Sequence, residues 1–322
     1  MTDQLANSYD VVVVGGGAAG LNGALMLARA RRSVVVIDAG HPRNAPADGV
    51  HGLLAREGIS PKDLVERGRV EVRQFGGQVV AGTVATAAQD GTGFTVTLTD
   101  GRTVRARRLL VTTGLVDELP NIPGLQSRWG HDVIHCPYCH GWEVRDQAIG
   151  VLASGPMSVH QALLFRQWSP DITYFAHTSV PLTEEQAEQF AARDIRVVTG
   201  EVTAVEIAGD RLAGLRLSDG TVVEREAVVV GSRMVADASF LAPLGLLPKE
   251  HPSGMGEYLP SDPTGRADVP GVWLAGNVTD LSAQVGAAAA AGAAAGAQIN
   301  FDLVNEETQA AVEAYRAGVP LT

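Results

Sequence analysis

Apolar positions near the start of the chain fall into short β-branched runs separated by a glycine turn and a helical stretch. Residues 9–14 form such a run and read as a buried strand. The run passes directly into Gly15-Gly16-Gly17-Ala18-Ala19-Gly20, after which residues 21–30 predict a helix. Residues 33–37 predict a second buried strand, ending at Asp38. Strand, glycine turn, helix, strand and acidic residue, in that order, are the setting in which Gly-x-Gly-x-x-Gly binds a dinucleotide. Gly15 supplies the tight turn, Gly17 lets a pyrophosphate approach the backbone, and Gly20 lets the helix pack on the strand. The first helical turn, with Ala18 and Ala19, offers backbone N–H groups to the anion. Asp38 is positioned to accept hydrogen bonds from ribose hydroxyls, with Ala39 and Gly40 opening the loop beyond it.

That loop contains His41 and His51, expected to be polar lining residues rather than catalysts. Ser60 and Pro61 predict a helix start running to Gly68, as N-cap and first helical residue. From Glu71 to Leu110 the pattern reads as strands, with residues 94–98 and 103–109 flanking an Asp100-Gly101 hairpin turn. Residues 109–113 predict a buried strand ending in Thr112-Thr113-Gly114, and Pro120, Pro123 and Gly124 mark a linker.

A second strand–turn–helix follows at 148–152, 153–158 and 159–168, and its turn is a defective fingerprint. Ala153 holds the first glycine position, Pro156 removes an N–H, and Ser158 replaces the last small residue. After the next strand, 172–175, Ala176-His177-Thr178 offers no arginine for a 2′-phosphate. Residues 197–207, 212–217 and 221–224 predict a small meander, and 228–231 closes the unit. Residues 271–277 predict a strand running into a turn, Gln284 opens a helix of small residues, and 306–317 predict a polar-faced terminal helix at the surface or a subunit contact.

Composition narrows the class. The 322 residues are 45% hydrophobic and 19% charged with 37 glycines, which suits an α/β protein of about two domains. The formal charge of −11 argues against nucleic acid as a partner. No stretch predicts a membrane span or signal core, so a cytoplasmic protein is expected.

Cys136 and Cys139 are the only cysteines, set in His135-Cys136-Pro137-Tyr138-Cys139-His140-Gly141. A structural bridge more often joins distant segments, and a zinc site needs a second ligand pair that is absent, so no metal is expected. Cys-x-x-Cys beside a dinucleotide fingerprint reads as a redox dithiol. His135 and His140 bracket the thiols and are the candidate proton acceptors.

The order of these parts resembles the low-molecular-weight thioredoxin reductases over essentially the whole chain. Within that family it most resembles the FAD-dependent dithiol oxidases acting on gliotoxin- and holomycin-type compounds, on the strength of Cys136, Cys139, His140 and Gly141. The reductases carry an acid where His140 stands and an aspartate where Asn277 stands. The resemblance implies two Rossmann-like three-layer dinucleotide-binding domains. An FAD domain would span 1–116 and 247–322, with a degenerate NAD(P)-type domain inserted at 117–246. It implies FAD as cofactor, bound through the fingerprint residues together with Thr113, Gly114, Gly276, Asn277, Gln284 and Val285. The Gln284 helix would turn its positive end toward the flavin. A homodimer is implied, with a small-molecule dithiol or disulfide, or a thioredoxin-like protein, as substrate.

In that geometry Cys139 would lie nearest the flavin and Cys136 would exchange with substrate, while Asp280 would orient His135. The expected activity is oxidation of a small dithiol, with electrons passing through the cysteines to FAD and then oxygen. The rival readings are a disulfide reductase fed by NAD(P)H, ferredoxin or reduced flavin, and a non-enzymatic flavin redox sensor.

Overall fold

The computed structural model describes residues 5–318; the ends of the expected FAD domain, 1–4 and 319–322, lie outside the described residues. The chain opens with β1 (Ser8–Val14), α1 (Ala18–Arg29), β2 (Val34–Asp38), α2 (Pro61–Gln74) and β3 (Gln78–Ala81). It continues with β4 (Val84–Asp90), β5 (Gly93–Leu98) and β6 (Thr103–Val111). These strands stand in the order β3-β2-β1-β6-β5-β4. The β-branched run of β1 has its central valines fully buried between two apolar layers, as a doubly covered parallel strand requires.

β6 serves two pairings at once. Its first half pairs antiparallel with β5 across the Asp100-Gly101 turn, and its length runs parallel to β1. The two strands expected at 103–109 and 109–113 are therefore one. α2 differs as well: it continues past Gly68 to Gln74, because Val72 is buried on its apolar side. Ser60 caps it as expected, its Oγ accepting from the Asp63 N–H.

The chain leaves this sheet through β7 (Leu115–Glu118). It then forms α3 (Leu125–Arg128), β8 (Val133–Ile134), α4 (Pro137–His140), β9 (Ile149–Leu152), α5 (Ser158–Phe165) and β10 (Ile172–Phe175). Next come α6 (Glu184–Ala192), β11 (Arg196–Val198), β12 (Val202–Ala208), β13 (Arg211–Leu217), β14 (Val222–Glu224) and β15 (Ala227–Val230). β11-β10-β9-β15-β8 form a wholly parallel sheet, while β12-β13-β14 form the antiparallel meander. The run expected as one strand at 197–207 is thus divided at Gly200 (φ 108°), half to each sheet.

β16 (Arg233–Ala236) returns antiparallel to β7 and makes a two-stranded ribbon between the sheets. Phe240 and Leu241 then pack into the core of the first sheet. The return to that sheet thus precedes the expected position 247, because these apolar residues find their burial there.

After β17 (Lys249–Glu250) and β18 (Glu257–Tyr258), β19 (Val272–Leu274) joins the end of β6 in parallel. The last element, α7 (Val285–Arg316), is one helix of 32 residues rather than two. No proline or cap interrupts it. Its acidic end is bound within the chain: Arg108 pairs with Asp302 and Glu306, and Arg107 with Glu306 and Glu307. Its small-residue half packs closely on α1 and, with it, covers the sheet. A Cβ at Gly292 would meet the Ala19 carbonyl at 1.9 Å, and one at Gly296 the Gly23 carbonyl at 2.7 Å. The two backbones touch because side chains are absent there. Among the described residues no helix is long and apolar enough to cross a membrane.

Candidate active site

The glycine turn between β1 and α1 is built by close backbone approach. Gly15 has φ 104°, and a Cβ on it would strike the Thr112 carbonyl at 2.5 Å. A Cβ at Gly20 would lie 1.9 Å from the Gly15 carbonyl, whereas one at Gly17 would meet nothing within 4 Å. Gly17 thus faces open space where a ligand backbone fits. α1 has no side-chain N-cap bond and no acidic residue in its first turn, so the leading N–H groups are left for an anion. Gly16 also matters, a point the fingerprint alone did not indicate: a Cβ there would sit 2.5 Å from the Asp38 carboxylate.

Asp38 accepts from the Gly40 N–H at 3.0 Å and pairs with Arg69 at 2.6 Å. Arg69 on α2 was not foreseen, since only the fold brings α2 beside the end of β2. The residue of the Thr-Thr-Gly end that secures the turn is Thr112, not Thr113. Its Oγ1 lies 2.9 Å from both the Val14 and Gly15 carbonyls. Thr113 instead donates to the Asp237 carbonyl at 2.6 Å, and Gly114 turns the chain with φ 74°.

The start of α7 converges on the same turn. A Cβ at Gly276 would lie 2.9 Å from the Ala19 Cβ. Gln284 is the N-cap of α7 and Val285 its first residue, again without a side-chain cap or early acid. The NH2 end of the Asn277 side chain is turned to its own loop. That amide donates to the Asp280 and Ala283 carbonyls at 3.0 and 2.9 Å and shapes the turn into α7. FAD fits this cradle: Gly15 to Gly20 and the first turn of α1 would hold its pyrophosphate, Asp38 its ribose, and the start of α7 its flavin end.

The turn between β9 and α5 has the same place in its own sheet and the opposite chemistry. The Ser158 hydroxyl accepts from the N–H groups of Ser154 and Gly155 at 3.1 and 3.2 Å. The Ser154 hydroxyl donates to the Gly231 carbonyl at 2.9 Å. Farther on, His177 accepts from the Val202 N–H at 2.9 Å. Two N–H groups of this turn are thus bonded within the protein, although a Cβ at Gly155, like one at Gly17, would meet nothing within 4 Å.

Cys136 and Cys139 form a disulfide with Cα atoms 5.3 Å apart, held by the short helix α4 that Pro137 begins. Gly141 follows it in a close-packed position, where a Cβ would press on the Trp168 ring at 2.8 Å. Both cysteines are half-buried, while Tyr138 and Trp142 beside them are 62% and 65% exposed. Among the described residues no cluster of ligating side chains could hold a metal ion.

His140 has both ring nitrogens buried, with no hydrogen-bond partner among the described residues. Burial pushes its imidazole below the ordinary histidine value, against the pull of Glu143. His135 is likewise lowered by burial, opposed by the Val230 carbonyl, which lies 3.2 Å from its Nδ1. The carboxylate acting on His135 is Asp117, not Asp280. Asp280 is occupied by the Ser282 N–H and hydroxyl at 3.0 and 2.7 Å. Asp117 takes two hydrogen bonds from Arg43 at 2.7 Å and one from Ser232 at 2.6 Å. Burial works to raise it, yet these partners hold it below the usual carboxylate range. Asp117, Arg43 and Ser232 sit on β7, the loop after β2 and the segment before β16, so no sequence spacing announced them.

A family model described as Pyridine nucleotide-disulphide oxidoreductase matches residues 9–297. Thioredoxin reductase tcpT of Claviceps purpurea (strain 20.1) is 30% identical over 286 residues, covering 84% of this chain and 87% of that protein. Thioredoxin reductase sirT of Leptosphaeria maculans is 28% identical over 319 residues, covering 94% and 96%. Among solved structures, HlmI is similar with a TM-score of 0.92 and 43% identity, covering 98% of this chain and 99% of that one. The oxidoreductase from Agrobacterium tumefaciens gives 0.86 and 33%, covering 92% and 99%.

Proposed function

The chain belongs to the pyridine nucleotide-disulphide oxidoreductase family, as an FAD-dependent enzyme of thioredoxin reductase type, and from that premise we propose that it oxidises small dithiols to disulfides. The observation that carries this reading is the Ser158 hydroxyl, bonded to the N–H groups of Ser154 and Gly155 where a nicotinamide dinucleotide would need them. Without that electron source, oxidation of a substrate dithiol is the direction that needs no further electron donor.

The chemistry at the cysteines balances without a nicotinamide. A substrate thiolate attacks Cys136 Sγ, breaking the Cys136–Cys139 bond and forming a mixed disulfide, with Cys139 released as thiolate. The second substrate thiolate attacks the substrate sulfur of that mixed disulfide. Its S–S bond closes, and Cys136 leaves reduced. Two substrate S–H protons are given up, and His140, next to Cys139 in the chain, is the proposed acceptor of one. Its unpaired, buried ring is held neutral and therefore ready to accept. Bound FAD supplies the two-electron acceptor that returns the cysteines to the disulfide, and oxygen is the proposed terminal acceptor.

The test is oxygen uptake by the FAD-loaded enzyme with a panel of dithiols and no added nicotinamide, alongside anaerobic mixing with NADPH. Dithiol-dependent uptake, flavin that NADPH does not bleach, and loss of uptake with retained FAD in Cys136→Ser are the expected results. Rapid bleaching by NADPH would return the protein to the reductases.

A further inference from the structure

The loop between β2 and α2 is closed on itself and brings one histidine to the redox helix. Residues 50 and 59 form an antiparallel bridge, with the Val50 N–H donating to the Ile59 carbonyl at 2.8 Å. Within that closed segment one Glu57 oxygen lies 2.6 Å from His51 Nδ1, and the other accepts from the Gly52 N–H at 2.9 Å. The carboxylate thus fixes the ring through two anchors on one short loop. The ring also lies against the backbone of Gly49, where a Cβ would meet His51 Nε2 at 3.0 Å.

The free edge of the ring faces the motif. His51 Nε2 is 3.5 Å from a Glu143 carboxylate oxygen, three residues beyond His140. With Nδ1–H given to Glu57, a protonated Nε2 attracts Glu143 and an unprotonated one repels it. The charged and titratable groups facing this corner are Glu57 and Asp48 from the loop, and Glu143, His140 and His135 from the motif segment. Glu143 and Asp48 favour a proton on His140, while His51 and His135 oppose it.

We propose that His51, oriented by Glu57, is a positioning residue that holds Glu143 near His140 and ties the segment after the Cys-x-x-Cys-His helix to the loop between β2 and α2. The inference rests on the dithiol-oxidising reading above. As His140 takes a thiol proton it becomes a buried cation, and a carboxylate held in place stabilises that cation without reorganising. His51 touches neither cysteine in this arrangement; its effect passes through Glu143.

The experiment is anaerobic rapid mixing of FAD-loaded protein with dithiothreitol, following flavin bleaching over a pH series. Wild type, His51→Gln, His140→Gln and the double variant are compared. His51→Gln is expected to slow bleaching by about tenfold, well below the roughly 10²–10⁴-fold a general base itself supplies. It should also displace the pH midpoint of the rate, and the double variant should be no slower than His140→Gln alone. A purely structural role would leave the midpoint unmoved and make the two losses multiply.

Rates within twofold of wild type at every pH, or multiplying losses, overturn the proposal. Should His51→Gln fail to fold or to keep FAD, Glu57→Gln loosens the same ring and is read by the same criteria. Failure of wild-type flavin to bleach at all would instead sink the dithiol-oxidising reading, and this inference with it.

Discussion

The turn at residues 15–20 and the turn at residues 153–158 occupy the same place in two parallel sheets, between a strand and the helix that follows it. In the first, backbone N–H groups are left open toward a space that a ligand fits. In the second, a serine hydroxyl has moved into that role and bonds the N–H groups itself. Topology is therefore retained where ligand chemistry is not. The parallel sheet is held by buried valines and isoleucines, which do not depend on what the turn binds. The hydrogen bonding of such a turn can differ without disturbing the core beneath it.

The comparison breaks most readily at Gly20. In Gly20→Ala the new Cβ has the Gly15 carbonyl at 1.9 Å, so α1 must move off β1. Overpacking of this kind costs about 1–3 kcal/mol, and the purified variant should both melt earlier and lack flavin absorbance. Gly17→Ala separates the two effects. Its Cβ meets no protein atom within 4 Å, so the flavin-free fold should melt as wild type while flavin affinity falls. A Gly17→Ala protein that keeps its flavin unchanged would mean that the first turn is not the pyrophosphate cradle.

Acidification probes the region around the disulfide. His135 and His140 both have folded values below their ordinary one, so the unfolded chain binds protons more readily. Their contribution is constant well above about pH 6.5 and is lost as pH falls through and below it. Thermal melting of wild type should decline over that window more steeply than melting of a His140→Gln variant. The folded His140 is protonated only at its lowered value, so dithiol-driven bleaching should slow at a lower pH than that at which melting begins to decline.

The smallest effect sharpens the second turn. Ser158→Ala withdraws the hydroxyl from two N–H groups, a loss comparable with removing a helix cap, about 1 kcal/mol. Chemical denaturation should register it. NADPH should still fail to bleach the flavin, since Pro156 and Ala153 continue to deny the turn its donors and its glycine.

The redox helix shows where sequence reading reaches its limit. Cys136, Cys139 and the bracketing histidines were legible because the motif is local, and a three-residue spacing is enough to close the disulfide. The glycine fingerprint was legible for the same reason: strand, turn and helix are consecutive. Asp280, four residues past Gly276, would orient His135 if the C-terminal turn folded over the cysteines, yet its carboxylate caps the Ser282 turn, two residues away. Asn277 likewise serves its own loop. Polar side chains near turns satisfy their local backbone first, and sequence alone carries no signal of which ones are already taken.

By itself, then, the amino-acid sequence determined the two strand–turn–helix units, the flavin-side fingerprint, the departures from it in the second turn and the identity of the redox pair. Each is a short-range pattern whose physics is complete within a few neighbouring residues. Only the tertiary structure decided that Thr112 rather than Thr113 secures the first turn, and that Arg69 faces Asp38. It alone set the Arg43–Asp117 pair beside His135 and the His51–Glu57 pair beside Glu143. Those partners lie far apart along the chain, and burial brings them together: a charge taken out of water needs a partner, and the partner is whatever the packing places there.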